Sequence, residues 1–127
     1  MLRWKTLIPA VLLTVGITIV SLIENPHLPA EMAMRDKLLH GFMYTLLTIS
    51  WIVPLTREPS PITSNRLQLY VLVFLSVTAF GALLEVLQRF CTLTRSGEMA
   101  DVLADGVGAI IGIILVIVCR RLFTTSH

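Results

Sequence analysis

The chain has 127 residues and a mass of 14.1 kDa; 55% of its residues are hydrophobic, only 14% are charged, and the mean hydropathy is +0.82. Soluble domains carry about 25% charged residues, so the composition argues against a disordered chain and against a soluble enzyme. Ten basic and eight acidic residues leave a net charge of +2. This small charge, without a basic run, excludes a nucleic-acid-binding footprint. The length fits a single domain over residues 1–127.

Four long apolar runs predict the fold class. In chain order they cover residues 6–23, 38–56, 67–88 and 102–119. Glu85 and Asp105 are the formally charged residues inside them. A bilayer core is crossed by about 20 apolar residues, and a backbone in lipid must satisfy its own hydrogen bonds. Strands of a membrane barrel would alternate in polarity instead. We therefore expect an all-α polytopic membrane protein, with four transmembrane helices in an antiparallel bundle.

The first run also resembles a signal peptide, because Arg3 and Lys5 precede an apolar stretch. The stretch is longer than the usual ~7–15 residues of a signal peptide. A convincing Ala-x-Ala cleavage site before Glu24 is absent from the sequence. We expect the run to be retained as a true span.

The basic residues favour one orientation of these spans. The predicted side that holds the termini carries Arg3, Lys5, Arg57, Arg66, Arg120 and Arg121, and the opposite side carries Arg35, Lys37, Arg89 and Arg95. Basic residues accumulate on the cytoplasmic side of a membrane. The distribution therefore predicts that both termini are cytoplasmic.

Polar side chains gather on the predicted outer side, near the ends of three helices. They are Asp36, Lys37, His40 and Tyr44 from helix 2, Glu85 and Gln88 from helix 3, Arg95 from the following loop, and Asp101 and Asp105 from helix 4. The helical spacing aligns several of them on one stripe of each helix. Gly108 and Gly112 continue the acidic stripe of helix 4 and predict close helix packing. Charges within a membrane cost on the order of 2.5–3.5 kcal/mol, so we expect a shared pocket.

This pattern resembles the VanZ-like family of small bacterial membrane proteins. The similarity covers roughly residues 35–112. The family often has asparagine where this chain has Asp105, which makes the pocket of this chain more negative. The resemblance implies a location in the bacterial cytoplasmic membrane and a link to the cell envelope, since the family is named for an accessory protein of glycopeptide (teicoplanin) resistance. It implies no settled reaction.

Individual residues leave more than one role open. His40 and Glu85 are candidates for general acid–base catalysis, because histidine titrates near neutral pH, but both also suit a structural ion-pair network. Arg95 and Lys37 are candidates for holding a phosphate, and arginine is the better bidentate donor. Asp101 also suits the positive N-terminal end of helix 4. The sequence has no compact ligand motif such as His-Glu-x-x-His, so we predict no metal site and no cofactor.

The favoured hypothesis is an outward-facing pocket that recognises an anionic lipid-linked or cell-wall-related molecule. Three alternatives stay open: an enzyme that acts on a lipid headgroup through His40 and Glu85, a small transporter, and a structural membrane subunit. Helices 1–3 carry no ionisable group other than tyrosine in their inner halves, which argues against a continuous transport path. The expected partners are membrane lipids or a lipid-linked cell-wall intermediate, with a second copy of the chain or another membrane protein left open.

Overall fold

The chain folds into four long helices. The computed structural model describes residues 4–23, 33–57, 61, 63–93 and 98–125, which contain helices and no strand. A short 3-10 helix, Trp4–Leu7, leads into α1, and the α-helices are α1 (Ile8–Leu22), α2 (Ala33–Arg57), α3 (Arg66–Cys91) and α4 (Met99–Thr124). Taken with its 3-10 turn, α1 is long and apolar enough to cross a membrane, and so are the other three helices. The predicted all-α class with four membrane-length helices is confirmed at this level.

The helices extend beyond the apolar runs from which they were predicted. α2 begins at Ala33 rather than at residue 38, and α4 continues to Thr124 rather than ending at residue 119. Arginine and lysine are good helix formers, so the helical backbone continues into the charged flanks. The start of α3 is fixed more sharply, because the Asn65 side chain accepts hydrogen bonds from the backbone N–H groups of Leu67 and Gln68.

The most extensive helix contact joins α2 to α4 and depends on glycine. A Cβ atom on Gly108 would collide with the backbone of Gly41, and one on Gly112 would lie 2.9 Å from the carbonyl oxygen of Thr45. The Thr45 hydroxyl lies 2.7 Å from the carbonyl oxygen of Gly41 and 2.9 Å from that of Gly108. Small residues thus bring the two backbones into direct contact.

Two polar contacts attach α1 to the other helices. The indole N–H of Trp51 in α2 donates to the Thr14 hydroxyl at 3.2 Å. The amide of Gln88 in α3 donates to the backbone oxygen of Ser21 at 2.7 Å. The side chain of Trp51 is partly buried and that of Gln88 is buried. The two bonds fix α1 near its middle and near its end.

Polarity is distributed in the reverse of the usual pattern of a soluble protein. Leu75 and Leu103 are 57% and 65% exposed, whereas Asp105 and Thr48 are fully buried. Large exposed apolar residues occur along all four helices. Contiguous exposed apolar surface marks contact with a membrane or a partner. Three acids, Glu85, Asp101 and Asp105, therefore lie inside the bundle, and hydrocarbon side chains cover much of its outside.

Candidate functional site

The buried ionisable residues meet at the end of the bundle where α2 and α4 begin and α3 ends. We call this group the polar cluster; it comprises Asp36, Lys37 and His40 of α2, Glu85 of α3, Glu98, and Asp101 and Asp105 of α4. Three helices contribute to it, and Glu98 immediately precedes α4. The tight glycine contact between α2 and α4 brings their first turns together.

His40 is the central residue of the polar cluster. Its Nδ1 atom lies 3.0 Å from Oδ1 of Asp105, and its Nε2 atom lies 4.0 Å from Oδ2 of Asp36. The ring also stacks on Tyr44, with the ring centroids 6.3 Å apart and the planes 7° from parallel. Tyr44 is 2% exposed and continues the contact to Phe80 of α3. The imidazole is therefore oriented by a carboxyl group on each side and by an aromatic ring.

Lys37 bridges two acids at the rim of the polar cluster. Its Nζ atom lies 3.2 Å from Oε2 of Glu98 and 3.8 Å from Oδ1 of Asp101. The side chains of Lys37 and Glu98 are 31% and 55% exposed, while that of Asp101 is 10% exposed. Asp101 also lies in the first turn of α4, where the helix dipole favours an acid. Lys37 therefore offers a cation on the accessible side of the cluster.

Glu85 is held by a backbone group that the sequence pattern does not reveal. Its Oε2 atom accepts a hydrogen bond of 3.0 Å from the N–H of Glu98, and Glu85 is 6% exposed. Glu98 is not among the site residues predicted from the sequence. The position of Glu98 just before a predicted helix is the available signal, because such residues have free N–H groups.

Two buried carboxylate oxygens of the polar cluster lack a hydrogen-bond partner among the described residues; the first is Oδ1 of Asp101, which lies 3.8 Å from Nζ of Lys37. The second is Oδ2 of the fully buried Asp105. It points at Gly81 of α3, where a Cβ atom would collide with it. Buried polar atoms are almost always hydrogen-bonded, so this oxygen has an unused capacity to accept a proton, a donor group or a cation.

Two sets of side chains lie close enough to contact a single cation. In one set, His40, Glu85 and Asp105 each offer an atom within 4.8 Å of the others; in the second set, Asp36, His40 and Asp101 do so. Imidazole and carboxylate groups are ligands of divalent transition metals. His40 belongs to both sets, so a single ion would contact its ring together with the carboxyl groups of one set or of the other.

Four predicted site residues remain: Gln88, Gly108, Gly112 and Arg95. Gln88 is buried, but its amide is directed to α1 and hydrogen-bonded to Ser21, away from the polar cluster. Gly108 and Gly112 lie in the contact between α2 and α4. Arg95 is outside the described residues. The structure thus brings together Asp36, Lys37, His40, Tyr44, Glu85, Asp101 and Asp105, and it adds Glu98.

The polar cluster is rich in acids. Five carboxyl groups accompany one lysine and one histidine. Carboxyl groups accept hydrogen bonds from hydroxyl, amide and ammonium groups, and buried ones carry or exchange protons readily. The arrangement can therefore bind a hydrogen-bond donor or a cation at its buried part and an anion at Lys37.

Comparison of the chain with family models, curated proteins and solved structures gives no match.

Proposed function

We propose that this chain is a multi-pass protein of the bacterial cytoplasmic membrane with both termini in the cytoplasm. The apolar exterior supports insertion, because a soluble helix carries a polar outer face whereas Leu75 and Leu103 are more than half exposed. Charge supports the orientation. Every described acidic residue lies at the polar-cluster end, and Arg57, Arg66, Arg120 and Arg121 lie at the opposite ends of their helices. The arginine-rich end is then cytoplasmic, and the polar cluster faces outwards.

The four helices cross the membrane in alternating directions in this proposal. Along α2 and α4 the contacts pair residue 41 with 108 and residue 45 with 112, which is parallel order. Along α3 and α4 they pair Gly81 with Asp105 and Glu85 with Glu98, which is antiparallel order. Such an order supports helices that alternate in direction along the chain, with α2 and α4 as neighbours that pack closely through glycine.

The polar cluster, in our proposal, binds the polar head of a lipid-linked or cell-wall-related molecule from the outer side. The observation that carries this is the junction of His40, Glu85 and Asp105 from three helices in an apolar bundle, where Oδ2 of Asp105 has no hydrogen-bond partner among the described residues. Buried ionisable groups in membrane proteins are costly and mark functional sites. The resemblance of residues 35–112 to VanZ-like proteins supports an envelope molecule as the ligand and a role in glycopeptide (teicoplanin) resistance.

Different residues of the polar cluster bind different parts of an anionic headgroup. Lys37 is half-exposed and paired with the still more exposed Glu98, so an incoming phosphate can replace Glu98 as its partner. Arg95 is the second phosphate ligand predicted from the sequence. Sugar hydroxyl or peptide amide groups next to the phosphate donate hydrogen bonds to the carboxyl groups of Glu85 and Asp105. The acids therefore select the donor groups, and Lys37 selects the anion.

The test uses single substitutions and a matched control. His40→Gln, Glu85→Gln and Lys37→Gln are compared with Arg89→Gln, which changes an exposed residue of α3 outside the cluster. Binding of a polyprenyl-pyrophosphate-linked disaccharide to purified protein is measured in detergent, and teicoplanin susceptibility is measured in cells. We expect each cluster variant to bind about tenfold more weakly, because it loses one charge-assisted hydrogen bond. Arg89→Gln should bind as tightly as the wild type. Unchanged binding and susceptibility at normal membrane abundance contradict the proposal.

A second candidate function is acid–base catalysis on a headgroup bond. The pairing of Nδ1 of His40 with Asp105 at 3.0 Å favours it, because a carboxyl group that orients an imidazole is a recurrent catalytic arrangement. Glu85 lies close enough to be the partner acid or base. Turnover of the lipid-linked substrate by purified protein, abolished by His40→Gln, supports the enzyme; binding without turnover supports the receptor.

A further inference from the structure

A second cleft lies at the end of the bundle opposite the polar cluster. It has a volume of about 760 Å³ and lies between the last turns of α2 and α4 and the first turn of α3. The residues at its mouth are Arg57, Arg66, Arg120 and Arg121, with Tyr70 and Phe123 beside them. Aliphatic side chains of α2 and α4 line the deeper part. The cleft is therefore cationic at the end of the bundle and apolar towards its middle.

Among the residues that the structure describes, no acidic side chain pairs with the arginines of this cleft. In the described ranges, none of the four guanidinium groups forms an ion pair, and the described acids all belong to the polar cluster. Helix dipoles favour arginine at the C-terminal ends of α2 and α4 but disfavour it at the N-terminal end of α3. Arg66 is the first residue of α3, so the dipoles do not explain its position. An anion bound between the helices would explain the position of Arg66.

We infer that this cleft binds an anionic phospholipid, with its phosphate between Arg57 and Arg66 and the arginine pair of α4, and with an acyl chain along the apolar part of the cleft. Guanidinium groups bind phosphate in a planar, bidentate geometry. Basic pockets between helices on the cytoplasmic side of a membrane recognise anionic headgroups. Inorganic phosphate would satisfy the arginines but leave the apolar depth unfilled, whereas a phospholipid satisfies both. The inference relies on membrane insertion and is independent of the ligand of the polar cluster.

The test measures lipid retention by the full chain purified in detergent. Phosphatidylglycerol and phosphatidylcholine with identical acyl chains are added in competition, and bound lipid is counted by native mass spectrometry. We expect the wild-type chain to retain phosphatidylglycerol preferentially. Arg57→Gln/Arg66→Gln should weaken that retention by about thirtyfold, since each basic residue contributes about 1 kcal/mol to attraction of an anionic lipid and about 1.4 kcal/mol corresponds to a factor of ten. Arg120→Gln/Arg121→Gln removes the same charge from α4, with the same expected result.

The matched control is Lys5→Gln/Arg89→Gln, which removes two exposed charges outside the cleft. Its retention of phosphatidylglycerol should stay within about twofold of the wild type, as expected for exposed charges that are screened by solvent. An equal loss in this control overturns the inference, because attraction would then be diffuse. Displacement of the lipid by inorganic phosphate at equal concentration overturns it in favour of a free-anion site. If the chain retains no lipid but self-associates, and both arginine double variants abolish that self-association, the cleft binds a second copy and the inference is overturned. His40→Gln should leave lipid retention unchanged, which separates this test from that of the polar cluster.

Discussion

The imidazole of His40 and the carboxyl group of Asp105 join α2 to α4 across 3.0 Å, and their side chains are only 14% and 1% exposed. The two residues are 65 positions apart in sequence. Their contact lies directly beside the glycine-mediated approach of the same two helices. The polar cluster and the tightest helix packing are thus parts of one contact region. A substitution in either should therefore lower the stability of the other.

The first prediction concerns the coupling of this pair. His40→Ala, Asp105→Ala and the double variant form a thermodynamic cycle, measured as unfolding free energy by sodium dodecyl sulfate titration in mixed micelles. A hydrogen bond to a charged partner contributes about 1.5–3 kcal/mol, so we expect the sum of the two single losses to exceed the loss in the double variant by about that amount. The cycle of His40 with Asp36, 4.0 Å away and more exposed, is the control and should show a smaller coupling. Additive losses for His40 and Asp105 count against the bond.

The second prediction concerns the glycine contact. Gly108→Ala should destabilise the bundle by about 1–3 kcal/mol, the usual cost of overpacking, because its Cβ would strike the backbone of Gly41. Gly16→Ala is the control, since a Cβ there has nothing within 4 Å. Alanine is up to ~1 kcal/mol better than glycine within a helix, so Gly16→Ala should be neutral or stabilising in the same titration. Equal effects of the two substitutions would remove the case for close α2–α4 packing.

A third prediction separates the backbone of Glu98 from its side chain. Glu98→Pro removes the N–H group that donates to Glu85, whereas Glu98→Ala keeps it. A buried acceptor left without its donor costs about 1–3 kcal/mol, so the proline variant should lose that much stability and the alanine variant less. The same titration provides the comparison. If Glu98→Ala destabilises the chain as much as Glu98→Pro does, the stability depends on the side chain of Glu98 rather than on its backbone N–H.

The fourth prediction concerns the attachment of α1. Gln88→Leu removes the donor to the Ser21 carbonyl oxygen and should weaken the hold on the end of α1 by about 1 kcal/mol. Hydrogen exchange is the measurement, and residues 17–22 should exchange about fivefold faster while the centre of α3 is unchanged. Gln68→Leu, an exposed glutamine of the same helix, is the control. Unchanged exchange in Gln88→Leu would show that α1 is held by apolar packing instead.

The helices could be predicted from sequence because their cause is local. A long run without charge has one stable conformation in lipid, and each run coincides with a helix. The helix ends could not be predicted so well. Charged residues limit the hydrocarbon part of a span but do not stop helical hydrogen bonding, so α2 starts at Ala33. The start of α3 is set by the capping side chain of Asn65, which is independent of hydropathy.

The partners within the polar cluster could be predicted only in part. Helical spacing placed His40 and Asp105 on inward stripes, but a stripe does not say which neighbouring helix it meets. Gln88 shows this, because it is one turn from Glu85 and yet contacts α1. Glu98 shows a second limit, since it acts through its backbone N–H, which every non-proline residue carries.

α2 and α4 bring His40 and Asp105 together inside the bundle, and we propose that this bundle spans a membrane. Dipolar-recoupling solid-state NMR in lipid bilayers tests this contact directly, with ¹⁵N at Nδ1 of histidine, ¹³C at the aspartate carboxyl groups, and His27 and His127 replaced by glutamine. We expect strong dephasing of the His40 Nδ1 signal by a carboxyl carbon, and loss of that dephasing in Asp105→Asn prepared with the same labels. Weak dephasing that is identical in the two samples would place Asp105 away from His40 and rule out the contact between them.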